Sequence, residues 1–379
     1  MTGARGVIIR TSRSVARALF HALFAFVLCR IAPAVADVSV EQTMLKVSIH
    51  GWTYALEAAI VRPGDGAGRW PVAMITHGSP RSAADRPNVH INNRMLAQAK
   101  DMAFRGWLAV AVIRRGFGSS DQPFAEGYDC DKPNFQRALF TAVEDVAATY
   151  ALVQTWPEAD TSRTIAIGVS VGGATMLAWS STRPAGLRAV INVSGGTGSK
   201  APLINCDENG LVNAFGVFGE TSRVPTLWFY SENDSFLPPQ LVKRMHAAFT
   251  KAGGNAMLHA YGPMGNDGHE IWATSEGRVL WMGAVDKFLH AENLPTWDPA
   301  PINVATSRFN DAAKRTLAYY LAFPTQKALA ISREKGVARF IGNNVELPAA
   351  QKKALDVCEK AAGEPCDILI NNFTPVAAK

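Results

Sequence analysis

Thr164-Ile165-Ala166-Ile167-Gly168-Val169-Ser170-Val171-Gly172-Gly173 is the stretch whose reading decides the fold. Its first half is β-branched and apolar, the make-up of a strand buried on both faces. The run stops at Gly168, presents Ser170, and gives way at Gly172-Gly173 to an apolar helical segment. Strand, tight turn and helix in that order form the setting in which Gly-x-Ser-x-Gly lifts a serine hydroxyl clear of a sheet edge. Such a turn strains the serine backbone, and only glycines at 168 and 172 leave room for it. The bare pattern recurs by chance; its context gives it meaning.

Outward from this run, buried-strand segments alternate with amphipathic ones. Residues 72–76, 108–113, 189–193, 226–230 and 257–261 are short apolar runs suited to a parallel sheet covered on both faces. Residues 44–49 and 54–61 read as an opening antiparallel pair. Between the runs lie helical patterns at 172–182, 240–252 and 277–289. In 135–156, Leu139, Val143, Val146, Tyr150 and Val153 recur at three- and four-residue steps. This alternation predicts a mostly parallel, doubly wound α/β sheet. Two parts stand outside it. Residues 194–224 are too long for an ordinary connection and are expected to form a short cap over the site, with a disordered surface loop as the alternative. Residues 294–302 hold three prolines and read as a stiff linker. The expected organisation is an α/β domain over 37–293, that linker, and a small α+β module over 303–379 with no catalytic constellation.

A raised serine needs a base, an acid to orient the base, and donors for an oxyanion. In this architecture the acid ends a later strand and the histidine follows it in sequence. Residues 226–230 end in Ser231-Glu232-Asn233-Asp234, and the final strand leads to Gly265-Asn266-Asp267-Gly268-His269. His269 is the expected base and Asp234 the expected acid. Taken singly, a loop histidine usually has no role, and an Asp here is often a cap or turn residue. Glu232 and Asp267 compete for the acid's place, but Glu232 lies at the start of the turn and Asp267 is placed to shape the loop. Three weak signals in the right order outweigh those separate readings. The oxyanion donors are expected to be the Val171 N–H and an N–H of His77-Gly78-Ser79-Pro80-Arg81. Pro80 has no amide hydrogen, which leaves Ser79. His77 braces that loop. After residues 108–113 comes Arg114-Arg115-Gly116-Phe117. Either arginine is a candidate clamp for a substrate carboxylate, with pairing to a nearby acid as the structural alternative. Phe117, Phe124 and Tyr128 either line a pocket or pack the loop.

The formal charge of +6 is concentrated at one end. Residues 1–36 contain five arginines and no acid, and the rest of the chain has 33 basic against 32 acidic residues. Nothing basic is left to suggest nucleic acid binding. The arginines, the apolar run 18–28 and Ala34-Val35-Ala36 read as an export signal cleaved before Asp37. The alternative, a membrane anchor, is disfavoured because the run is short and Arg30 interrupts it. The expected location is therefore periplasmic or secreted, without a membrane attachment after cleavage. Cys130, Cys206, Cys358 and Cys366 then remain, and an even count in an exported chain favours disulfides. The turn Gly363-Glu364-Pro365 makes 358–366 one expected bridge, leaving 130–206 for the other. No Cys-x-x-Cys pair and no ligand-spaced histidine points to zinc, so no metal is expected.

His77-Gly78, Arg115-Gly116-x-Gly118, Gly168-x-Ser170-x-Gly172-Gly173, Glu232-Asn233-Asp234 and Asp267-Gly268-His269 together resemble the α/β-hydrolase superfamily, in particular its exported, dienelactone-hydrolase-like branch. The landmarks span about residues 70 to 275. Typical dienelactone hydrolases carry cysteine at the elbow, where this chain has Ser170, so the resemblance implies ester or lactone hydrolysis in general. The expected function is a cofactor-free serine hydrolase acting on a small-molecule ester. A serine peptidase on the same scaffold is the close rival, and no propeller-sized block of strands accompanies the domain, which favours esters. A non-catalytic binding protein is the other alternative, although all three triad residues are present.

Overall fold

The computed structural model describes residues 38–64 and 68–376, so the expected export signal lies outside the described residues. The strands, in chain order, are β1 (Ser39–Ile49), β2 (Trp52–Arg62), β3 (Trp70–Thr76), β4 (Leu108–Val112), β5 (Ala159–Val169), β6 (Leu187–Val193), β7 (Ser199–Ala201), β8 (Ile204–Asn205), β9 (Thr226–Ser231), β10 (Ala256–Tyr261), β11 (Ala328–Ser332), β12 (Ala338–Ile341), β13 (Cys366–Asn371) and β14 (Thr374–Pro375). The helices are α1 (Ile91–Arg94), α2 (Leu96–Ala103), α3 (Phe135–Val153), α4 (Val171–Ser181), α5 (Glu208–Thr221), α6 (Pro239–Lys251), α7 (Ser275–Ala291), α8 (Pro299–Ala305), α9 (Asp311–Ala322) and α10 (Leu347–Ala362).

Eight strands form one sheet in the order β1-β2-β4-β3-β5-β6-β9-β10. The β1–β2 and β2–β4 pairs are antiparallel and the remaining pairs are parallel. Side chains alternate between two cores, as a two-residue strand period requires. Val72 and Met74 join one core, and Ala73 and Ile75 the other. The first core is closed by side chains of α3 to α6, including Leu139, Trp179, Phe215 and Phe249. The second is closed by α2 and α7 through Met102, Trp281, Val285 and Leu289. Both faces are thus covered, which is why the central runs are apolar throughout. Burying a side chain of this size contributes roughly 1.5–3 kcal/mol. The parallel register brings Thr76, Val112, Gly168 and Val193 to one edge. Loops bearing chemistry emerge there.

The stretch 194–224, expected as a cap, divides in two. Residues 196–200 and the β7–β8 hairpin stand at the strand ends. Residues 208–221 instead form α5, whose Leu211, Phe215 and Phe218 are fully buried in the first core. Asp207 starts that helix by accepting from the Gly210 N–H at 2.9 Å. The proline-rich stretch 294–302 is packed rather than free. Leu294 is buried, the Trp107 indole donates to the Pro295 carbonyl, and Thr296 and Trp297 both donate to Asp286. Its second half begins α8, with Asp298 as N-cap and Pro299 in the first turn, where proline costs no hydrogen bond.

The C-terminal residues make a separate antiparallel sheet in the order β12-β11-β13-β14. One face buries Leu329 and Ile370 with Ile302 and Tyr320, and the other buries Ala328 and Ala330 beneath Ala350, Ala354 and Cys358 of α10. Cys358 is bonded to Cys366, and Cys130 to Cys206. Among the described residues no helix is long and apolar enough to cross a membrane.

Candidate active site

Ser170 sits between β5 and α4 with φ 54° and ψ −125°, a sparsely populated conformation held by its surroundings. Its N–H donates to the Val193 carbonyl at 2.9 Å, and its carbonyl accepts from the Gly196 N–H at 3.1 Å. A Cβ on Gly168 would meet the Gly172 carbonyl oxygen at 2.2 Å, and one on Gly172 would meet the His77 carbonyl oxygen at 2.4 Å. Neither contact is tolerable, so both glycines are demanded by the turn.

The loop after β3 presses against this turn. A Cβ on Gly78 would lie 2.8 Å from the Ser170 Cβ, so the backbone approaches the serine as closely as a side-chain-free residue permits. His77 fixes the loop from beneath. Its Nε2 accepts from the Arg114 N–H at 3.0 Å and its Nδ1 bonds the Gly78 carbonyl at 2.6 Å, which assigns the proton to Nδ1. Burial, reinforced by Arg114, holds this imidazole well below the ordinary histidine pKa, and it stays neutral. Among the described residues, neither the Ser79 nor the Val171 N–H finds an acceptor, and both residues line the crevice beside Ser170.

Asp234 is fully buried at the end of β9. Its Oδ1 accepts from the Phe236 and Leu237 N–H groups at 2.8 and 2.9 Å. Both its oxygens lie 3.0 Å from the His269 Nδ1, leaving Nε2 directed away from the carboxylate. His269 lines the same crevice as Ser170, though no hydrogen bond joins them in this structure. The competing acids do other work. Asp267 accepts from the Ser235 and His269 N–H groups at 2.9 and 3.0 Å and shapes the loop. Burial works to raise its carboxyl, but bonds from Ser235 and the His269 N–H more than offset this and leave it below the ordinary value. Glu232 is exposed and lies outside the crevice.

The crevice has two lobes that share Ser79, Pro80, Arg81, Ser170, Phe236 and His269. One, of about 270 Å³, continues along Arg86, Phe124, Tyr128 and Lys200. The other, of about 350 Å³, continues along Val89, Arg94, Glu270 and Trp272. Arg81 crosses between the walls: it donates to Ser199 Oγ and to the Ser235 carbonyl at 2.9 and 3.0 Å. Its guanidinium lies 3.4 Å from the Phe236 ring centre, and that ring stacks on His269 at 3.9 Å.

The arginines expected as substrate clamps are elsewhere. Arg114 is fully buried, with its Nε and one Nη bonded to Glu126 at 2.6 and 2.9 Å and its other Nη on Thr76 and the His77 carbonyl. Arg115 is buried against Asp145 and Glu144. Phe117 is fully buried against His77 and Phe124. None of the three lines either lobe; the two arginines emerge beneath a covered sheet, where their charges must be neutralised internally. Tyr128 and Phe124 do line the first lobe. Arg81, Arg86, Lys200 and Phe236 were not singled out by the sequence pattern. The one available signal was that Arg81 ends the expected oxyanion loop and Arg86 follows it in a stretch without apolar periodicity.

A family model described as serine aminopeptidase S33 matches residues 89–218, about a third of the chain and including Ser170. A comparison with curated proteins finds no significant match. Among solved structures, an acylaminoacyl peptidase of Pyrococcus horikoshii is similar at 17% identity and a TM-score of 0.50, over 69% of this chain and 43% of that one. This chain therefore spans less than half of that peptidase, and the likeness is one of fold. A structure from Klebsiella pneumoniae named for dienelactone hydrolase is 17% identical over 68% of this chain and 98% of its own, with a TM-score of 0.47. Est1E from Butyrivibrio proteoclasticus, with ferulic acid bound, is 17% identical over 66% and 99%, with a TM-score of 0.47.

Proposed function

We propose that this chain is a serine hydrolase of the α/β-hydrolase superfamily that cleaves carboxylic esters or lactones through an acyl-enzyme on Ser170. The matching family model and the shared fold support this reading. The observation that carries this reading is the His269 Nδ1 held 3.0 Å from both Asp234 oxygens while the same imidazole shares a crevice with the strained Ser170. Ser170 Oγ attacks the ester carbonyl as His269 Nε2 takes its proton, and the carbonyl π pair moves onto oxygen. The Ser79 and Val171 N–H groups receive that oxyanion. As it collapses, the bond to the leaving alkoxide breaks and Nε2 returns the proton to it. Water then repeats the sequence and frees the acid and Ser170. Asp234 keeps the proton of neutral imidazole on Nδ1 and stabilises the imidazolium.

Two disulfides support reading the protein as exported, into the periplasm or beyond. The rival chemistry, peptide cleavage at the same serine, is favoured by the name of the matching family model. A panel of aryl esters, lactones and aminoacyl-anilides separates the two. The ester reading predicts ester or lactone turnover that vanishes in Ser170→Ala, with anilides cleaved far more slowly. Anilide turnover exceeding ester turnover contradicts it.

A further inference from the structure

We propose that the preferred substrate carries a free carboxylate, held by Arg86 and Lys200 in the smaller lobe of the crevice; this rests on the ester-hydrolase reading. Four charged side chains besides His269 line that lobe: Arg81, Arg86, Glu126 and Lys200. The Glu126 carboxylate is already neutralised by the two-pronged contact with buried Arg114. Arg81 is held by Ser199, Ser235 and Phe236 and faces Asp267 and Asp234. Arg86 and Lys200 differ. Among the described residues neither forms an ion pair, and the Arg86 Nε is buried without a hydrogen-bond partner. The guanidinium carbon lies over the Phe124 ring, 3.5 Å from its centre, so the cation rests against the aromatic wall of the lobe.

Among the described residues no carboxylate neutralises either cation, and a substrate carboxylate is the acceptor that suits a guanidinium fork. Lys200 adds a second cation from the β7–β8 hairpin, on the other wall. That wall is pinned by Tyr128, whose hydroxyl accepts from Thr197 Oγ1 and the Gly198 N–H, and by the Cys130–Cys206 bond. Phe124 and Tyr128 add apolar surface to the same lobe. With nucleophile and cations in one lobe of about 270 Å³, the spacer between ester carbonyl and carboxylate is short. The matching ligand is a half-ester of a small diacid, or an ester whose leaving group bears the acid.

The test uses aryl esters in pairs: a hemisuccinate against its methyl-capped diester, and an acetylated hydroxybenzoate against its methyl ester. The first pair places the acid on the acyl side and the second on the leaving group. Wild-type protein is expected to favour the free acid in at least one pair by about tenfold or more in kcat/KM, the size expected of a charge-assisted contact. Arg86→Met and Lys200→Glu should each reduce that ratio, and added salt should reduce it in the wild type. Lys200 is exposed on a hairpin, so its reversal tests the charge even if Arg86→Met folds poorly. A wild-type ratio at or below one in both pairs overturns the proposal, as does a ratio unmoved by both substitutions. Capped esters turned over through Ser170 without an acid preference defeat this proposal alone. Absence of turnover for every ester defeats the ester reading with it.

Discussion

Two pairs of arginines stand at the same sheet edge and meet opposite fates. Arg114 and Arg115 follow β4 directly and are buried among Glu126, Asp145 and Glu144. Arg81 and Arg86 follow β3 by several residues and reach the crevice. The difference is one of depth. A residue immediately after a covered strand is still beneath the loops, where an unpaired charge would be untenable, so the chain supplies its own carboxylates. A few residues farther on, the backbone has climbed to the rim and its cations can serve a ligand. Proximity of an arginine to a strand end is therefore a scaffold signal as often as a binding signal.

Removing one cation from each pair is the harshest test of this contrast. Arg114→Met strands the Glu126 carboxylate, and it is expected to cost about 3–5 kcal/mol in urea-unfolding free energy. Arg86→Met should cost under about 1 kcal/mol, because it breaks no internal ion pair. Comparable losses would erase the distinction. Next in size is the pin behind the cationic wall: Cys130→Ser with Cys206→Ser is expected to cost about 2–4 kcal/mol. It should also raise KM more than it lowers kcat, since Ser170 and His269 lie on other elements. A kcat loss with KM unchanged would mean that the bridge supports the reacting groups instead.

The paired set also carries a pH signature. Burial pushes the Asp145 carboxyl up to about 6, against the opposing pull of Arg115. Between the unfolded value of 3.8 and about 6, the folded chain holds a proton there that the unfolded chain releases. This group's stabilising contribution is thus greatest at low pH and is lost as pH rises through about 6. Unfolding midpoints of wild type and Asp145→Asn should separate further, in the wild type's favour, as pH falls from about 7 to about 4. Convergence over that range would contradict the assignment. The smallest effect belongs to the exposed Glu232. Glu232→Gln is expected to alter ester turnover less than about twofold and stability by under about 0.5 kcal/mol; a large loss would reopen the choice of acid.

What could be read without coordinates was local or ordered. The elbow glycines, the strand alternation and the succession Ser170, Asp234, His269 all follow from short patterns. The helix α5 was also written in Leu211, Phe215 and Phe218, but Gly210, Gly216 and Gly219 hid it within a stretch read as a cap. Gly219 is there because a Cβ would strike the Phe249 carbonyl oxygen at 2.2 Å, a neighbour on α6 that no local pattern reveals. The packing of 294–297 was hidden for the same reason, since its partners Trp107 and Asp286 come from other elements. Arg114 and Arg115 were conspicuous in sequence, while the crevice cations Arg86 and Lys200 lie on segments joined only by the fold.

The most direct measurement is covalent labelling of purified protein with a fluorophosphonate, with the adduct located by peptide mass. A hydroxyl activated by His269 predicts stoichiometric modification at Ser170, abolished by Ser170→Ala and strongly slowed by His269→Ala. Intact, folded protein that stays unlabelled, or a tag found on a different side chain, would contradict the account at its root.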